Sequence, residues 1–230
     1  MRIDIYSDVV CPFCFIGLAN LEQAINNLGD KLSDNLDIDI HHRAFELDPN
    51  APHQPPSNLI AAIAKKYGIS QEESERSQQA IAASLKTVGV NFDYHHARFG
   101  NTFDAHRLIH LAAENNQSTP VNKALMRAYL EQGKNLADHA VLRQVGIEAG
   151  LDATAIDELL NSDRYAEAVR NDETQAAQLG VRGVPFFVFD NVYAISGAQP
   201  VAVFEQALTQ AAAQPANGSG ACAADGSGCA

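Results

Sequence analysis

Residues 2–14 read RIDIYSDVVCPFC, and the rest of the chain takes its meaning from how this stretch folds. Arg2-Ile3-Asp4-Ile5-Tyr6 alternates with a period of two, the pattern of a half-buried strand. From Cys11 the period lengthens, with Leu18, Leu21, Ile25 and Leu28 falling on one helical face and Gly29 supplying a stop. Cys11-Pro12-Phe13-Cys14 therefore sits on a strand-to-helix turn. There the unsatisfied N–H groups and the helix dipole favour the thiolate form of the first cysteine. Cys14, one turn on, is placed to attack a mixed disulfide formed at Cys11. Pro12 suits the first helical position, and Phe13 brings no charge between the two thiols. Half of a zinc site, or two packed and inert thiols, are the competing readings of the same four residues.

Working outward, Asn35-Leu36-Asp37-Ile38-Asp39-Ile40 alternates again and is expected to be a second strand. From about Pro49 to Ala177 the period-two signal disappears. Pro55-Pro56-Ser57 is expected to open a helix ending at Gly68, and Ser70 with Glu73 forms a capping box for a helix to about Val88. Thr102 is expected to cap a helix carrying Ala105, Leu108, Ile109 and Ala112, and Thr119-Pro120 to start the next. Asp138 and Asp152 each open a further helical stretch. The β pattern returns at Val184–Phe189 and again at Val192–Ser196 across Asp190-Asn191, a hairpin signal. Pro200 opens a last helix to about Ala213. The expected organisation is a discontinuous α/β domain, 1–48 and 178–213, around a helical insertion, 49–177. A Gly/Ser-rich tail, 214–230, follows and by composition should be flexible.

The 230 residues carry a net charge of −12, which argues against a role resting on nucleic-acid phosphates or anionic membrane surfaces. No run reaches the ~18 apolar residues of a membrane helix. No leader-like segment precedes the first strand, so a cytoplasmic setting is expected, where close cysteine pairs lean to redox or metal chemistry. The second pair, Cys222 and Cys229, lies on the tail. A spacer of about nine residues has an r.m.s. reach of about 15–18 Å, enough to bring it to Cys11 if the last helix ends nearby. An accessory redox pair and a merely terminal disulfide are both compatible with that reach.

Together, C-P-x-C after a strand, a long helical insertion and Gly183-Val184-Pro185 before a hairpin resemble the DsbA family of thioredoxin-fold oxidoreductases. The segments SDVVCPFCFIG, NTFDAHRL and GVRGVPFFVFD are similar to its FrnE-like cytoplasmic branch. The resemblance spans essentially the whole chain. It implies an α/β thioredoxin fold with a large helical insertion, and a protein disulfide oxidoreductase or isomerase. It further implies a cis Pro185 facing the dithiol, with the Val184 backbone pairing with extended substrate. Phe13, Phe15, Pro12 and Val184 are the expected apolar lining, and Asn101 and His106 are polar candidates for the groove. No resident cofactor is expected, and glutathione or a thioredoxin-type protein would serve as reductant. The partners would be disulfide-containing or unfolded proteins. The other readings are a glutathione-dependent isomerase or transferase of the kappa-class or 2-hydroxychromene-2-carboxylate isomerase type, and a metal-binding or holdase module. His106 and His110 share a helix face at i, i+4 without the Glu of a zinc motif. His41-His42 and His95-His96 are expected at the surface.

Overall fold

The computed structural model describes residues 1–29, 37–55 and 58–213. β1 (Arg2–Ser7) runs into α1 (Pro12–Leu28), which Gly29 ends at a positive φ of 38°. β2 (Asp39–Ala44) returns parallel to β1, with Arg2 opposite Asp39 and Ser7 opposite Ala44. Seven helices follow: α2 (Leu59–Tyr67), α3 (Gln71–Thr87), α4 (Phe103–Ala113), α5 (Ser118–Leu130), α6 (His139–Glu148), α7 (Ala153–Leu160) and α8 (Ala166–Gln178). The hairpin β3 (Phe186–Phe189) and β4 (Tyr193–Ser196) then completes a four-stranded sheet of order β2-β1-β3-β4, before α9 (Val201–Ala212). β3 runs antiparallel to both of its neighbours. The three-residue loop Asp190–Val192 joins β3 to β4, with Asp190 and Asn191 at φ 46° and 57° in a turn closed by the Val192 N–H donating to the Phe189 carbonyl at 2.9 Å.

Alternation along the strands sends side chains to two different cores. Ile3, Ile5, Phe187 and Phe189 face α1 and α9, where Phe187 meets Phe204 edge-on at 4.8 Å. Tyr6 and Val188 face the other way, onto Ala176 and Val181 at the end of α8. The helical segment has its own core around Leu108, Leu125, Met126 and Tyr129, and this core reaches Val9, Val10, Cys11, Cys14 and Phe15. The dithiol thus lies on the seam between sheet and helices.

Several local expectations shift in the structure. The second strand begins at Asp39, not Asn35, and continues through His41-His42-Arg43-Ala44; residues 35 and 36 lie outside the described part. Pairing with β1 sets that register. Polar residues follow Ile40 in β2 because helices cover the β2 edge: Asp172 of α8 accepts from the Ala44 N–H at 3.0 Å and pairs with Arg43 at 3.1 Å. Asn58 caps α2 by accepting from the Ala61 N–H, while Pro56-Ser57 lie outside the described residues. α5 starts at Ser118, so Pro120 sits inside the first turn, where its missing N–H costs nothing. The Thr119 hydroxyl is spent on His42 Nε2 at 2.8 Å rather than on a cap. Thr102 precedes α4 without a side-chain cap bond. The Ser70/Glu73 capping box and the Asp138 and Asp152 caps form as their sequences indicate.

Candidate active site

The turn after β1 is closed by the Cys11 N–H donating to the Asp8 carbonyl at 3.0 Å. Cys11 is the N-cap of α1, extended at φ −90° and ψ 112°, and Pro12 follows at the first helical position. The Cys11 sulfur makes no capping bond to the helix. It turns instead to the Val184 carbonyl oxygen, 3.7 Å away. No acidic side chain occupies the first turn of α1, so nothing there opposes a thiolate. The Cys14 N–H donates to the Cys11 carbonyl at 3.1 Å, which stacks the second cysteine one turn above the first. Both cysteines are free thiols.

The two thiols have unequal surroundings. Burial, reinforced by the hydrogen bond and charge of Cys11, holds the Cys14 thiol well above the ordinary thiol range. The Asp8 main-chain N–H acts against that rise, while the Asp8 carboxylate adds to it. Cys11, 4% exposed against 2% for Cys14, sits at the capping position beside Val184 and is followed in sequence by Pro12 and the exposed Phe13.

The Val184–Pro185 bond is cis. Val184 precedes Phe186, the first residue of both β3 ladders, so its main chain stands outside the sheet pairing. Pro185 is anchored behind it by its carbonyl, which accepts from the Gly197 N–H at 2.8 Å. Gly17, one turn beyond Cys14, lets α1 approach this point. A Cβ there would lie 3.0 Å from both Pro185 Cγ and Phe187 Cζ.

Cys11 thus meets Val184 in space, with Pro12 and Phe13 following the one in the chain and Pro185 the other. Phe15 does not join them; it is buried in the helical core, with the Arg127 guanidinium 5.2 Å from its ring centre. Asn101 is also turned inward. Its side chain accepts from the Phe103 N–H at 3.0 Å and donates to Glu46 Oε1 at 3.3 Å, which spends the amide on the loop before α4. His106, 3% exposed, points at Asp8 beneath the dithiol rather than into a groove. His110 goes to a different carboxylate, Asp172, at 3.0 Å, so the i, i+4 pair does not converge. Of the adjacent histidines, His41 is half-exposed and pairs with Asp39. His42 is buried, contrary to the surface expectation, between Thr119 and Asn122. Cys222 and Cys229 lie outside the described residues.

Sequence reasoning passed over Asp8 and Glu46. Asp8 is 1% exposed, and its Oδ2 accepts from the Leu47 N–H at 2.7 Å. Glu46 is buried, held by Arg170 Nη1 at 2.6 Å. Burial pushes its carboxyl up against the opposing pull of Arg170. A lone carboxylate inside the apolar run IYSDVVCPF was a readable signal for Asp8. Glu46 carried none.

A thioredoxin-type sheet with a dithiol at the N-terminus of its first helix, a cis proline opposite and a helical insertion between sheet halves defines a class of thiol-active proteins. The chain belongs to one family within it: residues 2–209 match the DSBA-like thioredoxin domain. A probable DsbA oxidoreductase of Streptomyces coelicolor is 38% identical, with a TM-score of 0.84 over 92% of this chain and 89% of that one. The protein YwbO of Bacillus subtilis is 27% identical over 211 residues, 91% of this chain and 96% of its own. The cytosolic disulfide reductase DsbM of Pseudomonas aeruginosa, solved also with GSH, shares the fold at 16% identity. Its TM-score is 0.61, over 91% of this chain and 98% of that one.

Proposed function

We propose that this protein catalyses thiol–disulfide exchange on protein substrates, with Cys11 as nucleophile and Cys14 as resolving thiol. The observation that carries the reading is the Cys11 sulfur at the α1 N-cap, free of any capping bond and 3.7 Å from the Val184 carbonyl. A Cys11 thiolate attacks one sulfur of a substrate disulfide, forming a mixed disulfide and releasing the other sulfur as thiolate. Cys14 then attacks Cys11, the Cys11–Cys14 bond forms, and the second substrate thiolate leaves. The substrate is reduced by two electrons and the protein dithiol oxidised by two. Run backwards, the same steps oxidise a substrate; entry and exit at different substrate cysteines isomerise it.

Val184 offers main chain outside the sheet ladder to an extended peptide, and Phe13, 47% exposed, with Pro12 and Pro185 offers it an apolar contact. Glutathione or a thioredoxin-type protein in the cytoplasm is the reductant that completes the cycle in this reading, and Cys222 with Cys229 is its accessory exchange pair. Insulin reduction and scrambled-ribonuclease reactivation test it, with wild type, Cys11→Ser and the Cys222→Ser/Cys229→Ser double variant. Loss of both activities in Cys11→Ser is expected, and full activity there sinks the proposal. Turnover of an electrophile with glutathione that survives loss of Cys14 would favour the isomerase or transferase reading instead.

A further inference from the structure

The loop that brings Val184 to the dithiol also carries a charge that the exchange steps above leave unused. After α8 the chain turns at Gly180, φ 72°, and Val181 is pinned: its N–H donates to the Ala176 carbonyl at 2.9 Å and its side chain packs with Tyr6 and Val188. The other end is pinned by the Pro185 carbonyl on the Gly197 N–H. Arg182 and Gly183 form the exposed arch between these anchors. A Cβ built on Gly183 would meet nothing within 4 Å, so the space over the arch is open. Arg182 stands two residues before Val184, whose carbonyl lies 3.7 Å from the Cys11 sulfur. The Cα atoms of Arg182 and Val184 are therefore within about 7 Å of each other, a gap that an arginine side chain spans.

Arg182 is a free cation: nothing among the described residues pairs with its guanidinium. Other cations on the sheet and the helical segment are spent. Arg170 holds Glu46 and Glu173, Lys66 stands 3.7 Å from Asp48, and Arg43 bridges Asp4 and Asp172. Of the carboxylates that follow β1 and β2, Asp8 and Glu46 are buried and Asp48 faces Lys66. No acidic side chain occupies the first turn of α1. In a chain of net charge −12, the arch beside the nucleophile thus carries a cation without an anion.

We infer that Arg182 binds a carboxylate that the substrate carries next to its reacting cysteine, an inference that rests on the exchange reaction proposed above. An extended peptide laid against Val184 with its cysteine at Cys11 brings a flanking residue to Arg182, because neighbouring strands advance by the same ~3.3 Å per residue. The guanidinium presents a planar fork of donors that matches the two oxygens of a carboxylate. Salt at physiological strength screens charges beyond about 8 Å, so the local cation outweighs the negative field of the rest of the chain. Acidic residues flanking a protein cysteine supply the group, and so do the ends of glutathione. The preference is a difference in binding between charged and neutral partners. The bonds made and broken in exchange are unchanged by it.

The test is the second-order rate at which the reduced full-length protein attacks peptide disulfides that differ only in the residue beside cysteine, Glu or Gln. A second arm compares glutathione disulfide with the form amidated at its glycine ends. Wild type is expected to favour the carboxylate-bearing partner by about fivefold, the upper range for an exposed ion pair. The ratio should fall to parity in Arg182→Gln and invert in Arg182→Glu. Arg182→Lys, which keeps the charge without the fork, should retain part of it, and added salt should shrink the wild-type value. Each value is a ratio within one protein, so a variant that reacts more slowly with every partner still gives an answer. A preference confined to the glutathione pair assigns the carboxylate to glutathione, and one confined to the peptides assigns it to acidic protein segments. Parity in wild type in both arms, or a preference that the Arg182 variants leave unchanged, overturns the inference while the exchange reaction stands. Attack by Cys11→Ser at the wild-type rate overturns the exchange reaction itself.

Discussion

The Cys11 sulfur lies 3.7 Å from the carbonyl oxygen of Val184, a residue 173 positions further along the chain. That contact joins the two ends of the thioredoxin-like body across everything inserted between them. In the proposed exchange reaction it sets the attacking thiol beside main chain that lies outside the sheet ladder.

Removing the resolving thiol should therefore leave attack intact and stop release. Cys14→Ala incubated with a disulfide-containing protein is expected to accumulate a covalent complex through Cys11, which reducing agent dissolves. Mass spectrometry of the intact complex and of its linked peptides checks this. A bond elsewhere, or none, contradicts the assigned order of the thiols.

His42 should make stability depend on mildly acidic pH. Burial, followed by the nearby His41 charge, lowers its pKa from 6.5 to about 4. Between those values the unfolded chain binds a proton that the native site refuses, so stability falls as the pH drops through that window. The full effect is about 3 kcal/mol. Urea denaturation at intervals from pH 7.5 to 4 should show wild type losing more stability than His42→Gln, which retains a side-chain amide for Thr119 and Asn122. Parallel curves for the two proteins would refute the assignment.

Gly17 is expected to resist even a methyl group. In Gly17→Ala the new Cβ, 3.0 Å from Pro185 Cγ and Phe187 Cζ, must push α1 away from β3. Overpacking of this kind costs about 1–3 kcal/mol, more than the helix gains from replacing glycine. Thermal denaturation reports the stability. The rate of Cys11 alkylation should change with it, because a shift of Pro185 moves the adjoining Val184 carbonyl that meets the Cys11 sulfur.

Arg107 ties the end of α7 to α4. Its guanidinium donates to the carbonyls of Leu159, Ser162 and Arg164 and pairs with Asp104 at 2.7 Å. Arg107→Met fills similar volume but leaves buried acceptors unpaired, at a cost of about 3 kcal/mol. A lower urea midpoint, with the rate of Cys11 alkylation unaltered in the folded protein, is the expected result. An unchanged midpoint would show that water replaces these bonds.

The motif NTFDAHRL shows where sequence reading reaches its limit. Its resemblance to a family segment marked Asn101 and His106 as groove residues, but the structure turns both inward, Asn101 onto Phe103 and Glu46 and His106 towards Asp8. Arg107, in the same motif, is a strut between helices. A motif says that residues matter together. Which way each side chain points depends on the helix rotation that packing selects.

What the sequence determined by itself was everything decided over a few residues. The strand, dithiol and helix of residues 2–28, the Ser70/Glu73 box, the Asp138 and Asp152 caps and the Asp190-Asn191 turn all rest on neighbouring backbone groups. Tertiary structure decided the partners of buried polar groups: His106 for Asp8, Arg170 for Glu46, Thr119 and Asn122 for His42. It also set the β2 register, since polar residues in that strand are buried only because α4, α5 and α8 cover the sheet edge. Charge and hydropathy describe a residue one at a time. Whether a carboxylate or an imidazole can be buried depends on what the rest of the chain brings to meet it.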